Sequence, residues 1–351
     1  MDLLNKTLNE IKPLDDAAME KARERQDQLT KPAGSLGVLE EISIKLAGIT
    51  GKVLSDVDKK AVVVMAGDHG VVDEGVSAFP REVTPQMVAN FVHGGAAINV
   101  LSRHVGANVI VVDVGVAVPI DDASVVSRKV KSGTANFAKE QAMTREEAVK
   151  AIEVGIEVAN ELIDDGANLL ATGDMGIGNT TSSSAILLAL TGRPVDGLVG
   201  IGTGIGNGDL DHKRKVITDA ISFHNPDRND PIDVVAKVGG LEIAALGGLV
   251  LGAAARRVPV VIDGFISGAG ALIAGCLSPL SKDYMIASHV SVEPGHRAIL
   301  DELGLKPMLY MDMRLGEGTG AVLAMGMVEA ATKVIKEMAT FAEAGVSEKE
   351  G

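Results

Sequence analysis

Ala61-Val62-Val63-Val64-Met65-Ala66 is a short run of β-favouring apolar residues, and Gly67-Asp68-His69-Gly70 follows it at once. A strand without polar alternation must be covered on both faces, as in a parallel sheet, and the Gly-Asp-His-Gly stretch then delivers polar groups on a tight loop. Similar runs lie at 108–114, 168–172, 258–263 and 284–289. Helical stretches such as 84–103, 144–163 and 239–256 separate them, so strand and helix alternate along the chain. That order predicts an α/β fold: a doubly wound, mostly parallel sheet with helices on both faces. Ligands of such sheets sit beyond the carboxyl ends of the strands, and several of these runs end there in Gly with Asp or His.

On the N-terminal side, 16–30 is polar and helix-favouring, and Leu36, Leu39, Ile42 and Leu46 recur at helical spacing after a turn at 31–34. A last long helix is expected over 319–344, ahead of a charged tail. The expected organisation is a large α/β domain, 57–318, and a small helical domain from both termini, 1–56 plus 319–351. The apolar stretch 243–255 is too short to span a bilayer and ends in Arg256-Arg257, which marks a buried core helix.

The formal net charge of −14 argues against a nucleic-acid partner, because that affinity comes largely from Lys and Arg neutralising phosphates. With Cys276 as the only cysteine, an intramolecular disulfide and a thiolate zinc cluster are both impossible. The first residues carry acids where a secretory signal would be basic and then apolar. A cytoplasmic protein without membrane partners is expected. Glycine is unusually abundant, at 41 residues, which implies tight turns or backbone-lined sites.

The glycines concentrate in two segments that could hold a phosphate. Gly173-Asp-Met-Gly-Ile-Gly-Asn-Thr-Thr181 follows a strand-like run and precedes an apolar helix, so Gly176, Gly178, Asn179 and Thr180 stand where free N–H groups open a helix. Gly200-Ile-Gly-Thr-Gly-Ile-Gly206 places Gly202, Thr203 and Gly204 before a second helix with Lys213 about one turn inside it. Either loop alone reads equally well as turns; the pair, with a lysine at hand, favours phosphate. Neither has the context of a dinucleotide fingerprint or the ending of a P-loop.

Glu317 lies between Gly316 and Gly318 at a loop-to-helix junction, either open to a cleft or a helix-start acid stabilised by the dipole. Asp263 ends a strand and is either catalytic or a cap for the next loop. Ser291 could hold a carboxylate or a sugar hydroxyl. Ser77, Phe79 and Gln86 lie in a segment that offers stacking and hydrogen bonding to a base, or is only the loop entering the next helix. Asp68 and His69 are too few for a metal site.

Taken together, the segments 31–37, 66–70, 75–77, 173–181, 200–206, 260–264, 293–296 and 315–321 resemble the nicotinate-nucleotide:dimethylbenzimidazole phosphoribosyltransferase family, in order, from about residue 20 to 340. The resemblance implies a Rossmann-like large domain, a homodimer, no metal and no organic cofactor. It implies transfer of the 5-phosphoribosyl group from nicotinate mononucleotide to a benzimidazole in cobalamin nucleotide-loop assembly, with Glu317 as general base. The two glycine segments, with Asn179, Thr180 and Lys213, correspond to the family's phosphate-binding elements, and Leu315 and Gly316 fall beside the base. In many members a glutamate stands where this chain has Asp174, so a supporting role there would work with a carboxylate one methylene shorter. Two rival classes remain at this stage: an enzyme that hydrolyses or reduces a nucleotide with the same loops, and a noncatalytic nucleotide sensor.

Overall fold

Strand β1 (Lys60–Gly67) is buried along its whole length in the computed structural model, which describes residues 1–202, 204 and 207–347. Its side chains alternate between two cores: Ala61, Val63 and Met65 enter one, Val62, Val64 and Ala66 the other. A strand in that position has no face left for water, which is why its sequence carries no polar alternation.

The remaining strands are β2 (Ala107–Gly115), β3 (Val126–Ser127), β4 (Leu169–Met175), β5 (Val260–Ile262) and β6 (Met285–Ala287). They form one sheet in the order β3-β2-β1-β4-β5-β6, and every pairing is parallel. The chain order reverses between β1 and β4, which is the topological switch point where such sheets open a crevice. Helices Arg145–Asp164, Asn179–Thr191, Leu241–Ala255 and Phe265–Leu277 bury their apolar residues on one face. Val38–Thr50, Val83–Val92, Ala97–Val105 and the start of Thr319–Glu337 cover the other.

Two helix expectations need correction. The stretch 84–103 is two helices, Val83–Val92 and Ala97–Val105, because Gly94-Gly95 ends the first and Gly94 takes a left-handed φ of 77°. The last helix stops at Glu337, and Thr340 then caps a separate short helix, Phe341–Ala344. Both termini meet in a small cluster of Ala18, Ala22, Ala47 and Ile335, reinforced by the Arg25 Nε–H bond to the Ile335 carbonyl (2.7 Å) and a bridge between Leu29 and Thr340. The same C-terminal helix therefore spans the sheet and this cluster.

Candidate active site

The carboxyl ends of β4, β5 and β6 open on a cleft of about 390 Å³. At one end, Gly178 precedes the helix Asn179–Thr191, and Asn179 and Thr180 line the cleft at its start. Lys213, from the helix Asn207–His224, is fully buried behind them and donates from Nζ to Thr180 Oγ1 (2.8 Å). Gly202 closes over this pair: a Cβ there would fall 2.7 Å from Thr180 Oγ1 and 3.1 Å from Lys213 Nζ, and its φ is +54°. Burial pulls the Lys213 ammonium down to about 8, opposed by the carboxylate of Glu293. An ammonium without a full counter-ion, beside a helix N-terminus, is a site for a small dianion.

The other end is acidic. Glu317 has a left-handed φ of 63° between Gly316 and Gly318, a conformation that costs a side-chain-bearing residue roughly 1–3 kcal/mol and so marks a constrained position. Its Oε2 accepts the Ile98 N–H (3.0 Å) at the start of the helix Ala97–Val105. Oε1 has no protein partner among the described residues, and Glu317 lines the cleft. Burial raises its pKa above the ordinary 4.5, the Ile98 N–H opposes the rise, and the charge of Asp263 adds to it.

Asp263 lies behind this loop and does not line the cleft. Its carboxylate accepts the N–H groups of Ala321 (2.8 Å) and Gly318 (3.2 Å), so it fixes the backbone that carries Glu317. Burial pushes Asp263 up, with His289 opposing. Asp174, at the end of β4, lines the cleft and accepts from Asn179 Nδ2 (3.0 Å). Its carboxyl stands well above the usual range because of burial first, then repulsion from Asp263 and Glu242.

The cleft also has an apolar lining of Phe79, Val83, Met87, Met175, Ile177 and Leu315. Of the residues expected from sequence, Asp174, Gly176, Asn179, Thr180, Gly202, Ser291, Phe79, Leu315, Gly316 and Glu317 line this cleft. Lys213, Gly178, Gly204 and Asp263 are not lining residues, and Thr203 lies outside the described residues. Ser77 and Gln86 are not lining residues either: Ser77 Oγ donates to the Phe79 carbonyl (3.1 Å), and Gln86 is exposed.

Sequence reasoning assigned no role to His289, Glu293 or Arg314, all of which line the cleft. The signal was present in the alternation of polar residues at 289, 291 and 293 after a strand. It also passed over Glu242, a charge at the head of an apolar helix, which pairs with His69 Nε2 (2.6 Å) while Ser182 holds Nδ1 (2.9 Å). Both partners are wholly buried. This pair sits under Gly176, where a Cβ would come 3.1 Å from Glu242 Oε1. Asp68 accepts the Ala117 N–H (2.7 Å). Among the described residues no three His, Cys, Asp or Glu side chains converge as metal ligands.

A family model described as "Phosphoribosyltransferase" matches residues 11–346. The chain is 64% identical to the nicotinate-nucleotide–dimethylbenzimidazole phosphoribosyltransferase of Chloroflexus aggregans over 350 residues, 99% of each chain. It is 57% identical to the protein of that name from Geobacter sulfurreducens over 349 residues, again 99% of each. The crystal structure of the Thermus thermophilus protein of that name superposes with a TM-score of 0.91 at 48% identity, covering 96% of this chain and 100% of the other.

Proposed function

This chain belongs to the nicotinate-nucleotide–dimethylbenzimidazole phosphoribosyltransferase family, and from that premise we propose a mechanism with Glu317 as general base. The enzyme transfers the 5-phosphoribosyl group of nicotinate mononucleotide to 5,6-dimethylbenzimidazole in cobalamin nucleotide-loop assembly, giving α-ribazole 5′-phosphate and nicotinate. The observation that carries the mechanism is the Glu317 carboxylate: one oxygen is tied to Ile98 N–H, and the other has no partner among the described residues and faces the cleft that Glu317 lines.

The donor phosphate binds at the Lys213 end, against Thr180, Asn179 and the backbone of Gly176, Gly178, Gly202 and Gly204. The benzimidazole lies along Phe79, Leu315 and Gly316. Its unprotonated ring nitrogen attacks C1′ from the side opposite the nicotinate, and the C1′–N bond breaks with both electrons going to the pyridinium nitrogen. The leaving group is thereby neutralised at its ring and needs no general acid. As the new bond forms, the other ring N–H becomes acidic, and Glu317 Oε1 takes its proton. Anchoring the phosphate away from C1′ supplies the alignment. Because the donor is a β-nucleotide, this attack inverts C1′ to the α-riboside. Asp174 supports the site as a buried carboxyl hydrogen-bonded to Asn179, and Asp263 acts through the loop it holds.

Mass analysis of a mixture of nicotinate mononucleotide, dimethylbenzimidazole and enzyme tests the reading. The expected products are nicotinate and α-ribazole 5′-phosphate in equal amounts. Nicotinate release without a base-linked product would mark a hydrolase, and binding without turnover a sensor.

We further propose a homodimer, with the well exposed Tyr310 and Met311 covered by a second copy. Light scattering that finds only a species of 36.2 kDa at micromolar concentration would overturn it. The cluster of Ala18, Ala22, Ala47 and Ile335 supports a small helical unit drawn from both termini. A cytoplasmic location belongs to the same reading, supported by the lone Cys276; no described helix is long and apolar enough to cross a membrane.

A further inference from the structure

Behind the loop that follows β4, three elements meet on one imidazole. His69 follows β1, Ser182 stands one turn into the helix Asn179–Thr191, and Glu242 lies in the first turn of the helix Leu241–Ala255. All three are wholly buried, and none lines the cleft. Each ring nitrogen of His69 takes one partner: Nε2 meets Glu242 Oε1 (2.6 Å), and Nδ1 meets Ser182 Oγ (2.9 Å).

Counting hydrogens gives the sense of both bonds. Ser182 Oγ has no other partner among the described residues, so its hydroxyl hydrogen finds an acceptor when Nδ1 carries the lone pair. Nε2–H then donates to Glu242. The ring is held at both edges, which fixes its plane as well as its place.

Four glycines close around the pair. A Cβ on Gly176 would fall 3.1 Å from Glu242 Oε1 and 3.3 Å from His69 Nε2, and one on Gly178 would fall 3.3 Å from His69 Cβ. From other sides, a Cβ on Gly240 would fall 2.4 Å from His69 Cε1, and one on Gly67 would fall 3.0 Å from Glu242 Oε2. The backbone of 176–178 thus rests against the pair. The loop so seated presents Gly176 and Ile177 to the cleft and leads into Asn179 and Thr180.

Packing alone does not call for this chemistry. Glu242 Oε2 is buried with no partner among the described residues, and the Glu242 charge adds, after burial and Asp263, to the rise of Asp174. An apolar pair of similar volume would fill the same space without leaving a polar atom unsatisfied. What the polar pair adds is direction, since two hydrogen bonds set the angle of the ring on which the loop rests. We propose that His69 and Glu242 are positioning residues that seat the 176–178 backbone and so aim Thr180 and the start of the helix Asn179–Thr191 at the donor phosphate. This role rests on the phosphoribosyl-transfer reading above and on the phosphate end it names.

Steady-state kinetics with nicotinate mononucleotide and with nicotinate riboside, which lacks the phosphate, tests the role. His69→Ala and Glu242→Ala should each raise KM for the mononucleotide by roughly 10- to 100-fold, the scale of about 1 Å of misplacement. KM for dimethylbenzimidazole and kcat/KM for the riboside should change little. Glu242→Gln keeps an acceptor for Nε2–H and should restore most of the loss; a Gln variant as defective as the Ala variant would overturn the geometric role. Should a single variant unfold around its unpaired partner, the double variant His69→Leu, Glu242→Met fills the space without hydrogen bonds, and it should stay folded yet keep the nucleotide defect. Wild-type nucleotide KM in the double variant, or equal losses for mononucleotide, riboside and base, would reduce the pair to packing. Lys213→Ala measured alongside separates the two readings. A nucleotide KM that rises there but not in the pair variants overturns the positioning role alone, whereas one that Lys213→Ala leaves unmoved removes the phosphate from this end and the role with it.

Discussion

At one end of the cleft the buried cation Lys213 is pulled down to about 8, whereas at the other Asp174, Asp263 and Glu317 are pushed up. Desolvation by burial is the leading cause in all four. The same physical force thus brings a cation and three acids toward neutrality from opposite sides. What differs is the charge each end is offered. In the proposed mechanism a phosphate dianion restores the lysine charge, while the acidic end meets a neutral benzimidazole whose proton becomes acidic only as the new bond forms. On the proposed mechanism one end serves binding in the ground state and the other the transition state, and this separation predicts distinct kinetic signatures.

The largest effect is expected from Glu317→Gln, which keeps the shape and the Ile98 hydrogen bond but cannot take a proton. General base catalysis supplies roughly 10²- to 10⁴-fold, so kcat should fall by that factor while nucleotide affinity stays close to wild type. An acceptor with a more acidic ring N–H should be less sensitive. Equal loss for every acceptor would instead assign Glu317 an electrostatic role toward the positive charge on ribose. Near wild-type kcat across acceptors would remove it from the chemistry.

Lys213→Ala is the counterpart at the binding end. Loss of one charge-assisted phosphate contact should raise KM for the nucleotide by roughly 10- to 100-fold with a smaller change in KM for the base. Calorimetry that finds unchanged nucleotide affinity would move the phosphate elsewhere.

A smaller and graded effect follows from pH. The free-enzyme Lys213 loses its charge as pH rises through about 8, so kcat/KM for the nucleotide should decline above that point. Glu317 is a base only when ionised, and its raised pKa moves the loss of activity on the acid side above the ordinary 4.5. The pH profile should therefore be bell-shaped, with Lys213→Ala flattening the alkaline limb and Glu317→Gln the acid limb. A profile whose limbs survive both substitutions would break the assignment.

The contrast between the two ends also bears on what the sequence disclosed. The sheet was readable because both faces of β1 are covered, leaving a run such as 61–66 without polar alternation, and glycine-rich loops drew attention to the end of the cleft proposed here for the phosphate. Lys213 was found through its spacing from a glycine loop. The three-residue strands β5 and β6 are too short for their pairing to show in local pattern, and β3, with two residues, was not anticipated at all. The buried His69–Glu242 pair joins residues far apart in sequence, and His289 depends on Asp263 and Ser288 for its orientation. Such contacts exist only once the sheet has assembled. Asp263 shows the limit most clearly: sequence left it as a catalyst or a local cap, and the fold makes it the cap of a helix that starts more than fifty residues later.

The smallest expected effect is on stability, at Asp174. Its folded pKa is raised well above the ordinary carboxylate value of 3.8, so the folded state holds the proton more tightly than the unfolded chain does. For such a group the favourable contribution is fully present below the unfolded pKa and is lost as pH rises through the folded pKa. Well above that folded value Asp174 is a buried charge facing Asp263 and Glu242, and it costs stability there. Asp174→Asn keeps an oxygen that can accept from Asn179 and removes the charge. The variant should melt higher than wild type at alkaline pH, by roughly 1–3 °C in a chain of this length, and the gain should vanish below about pH 4, where the wild-type carboxyl is already neutral. If the acid supports catalysis, the same variant should be slower, so stability and activity would move in opposite directions. A melting temperature that falls at every pH would mean that the carboxylate, charge included, is held by favourable contacts that outweigh its burial, and the acidic end would then no longer mirror the lysine end.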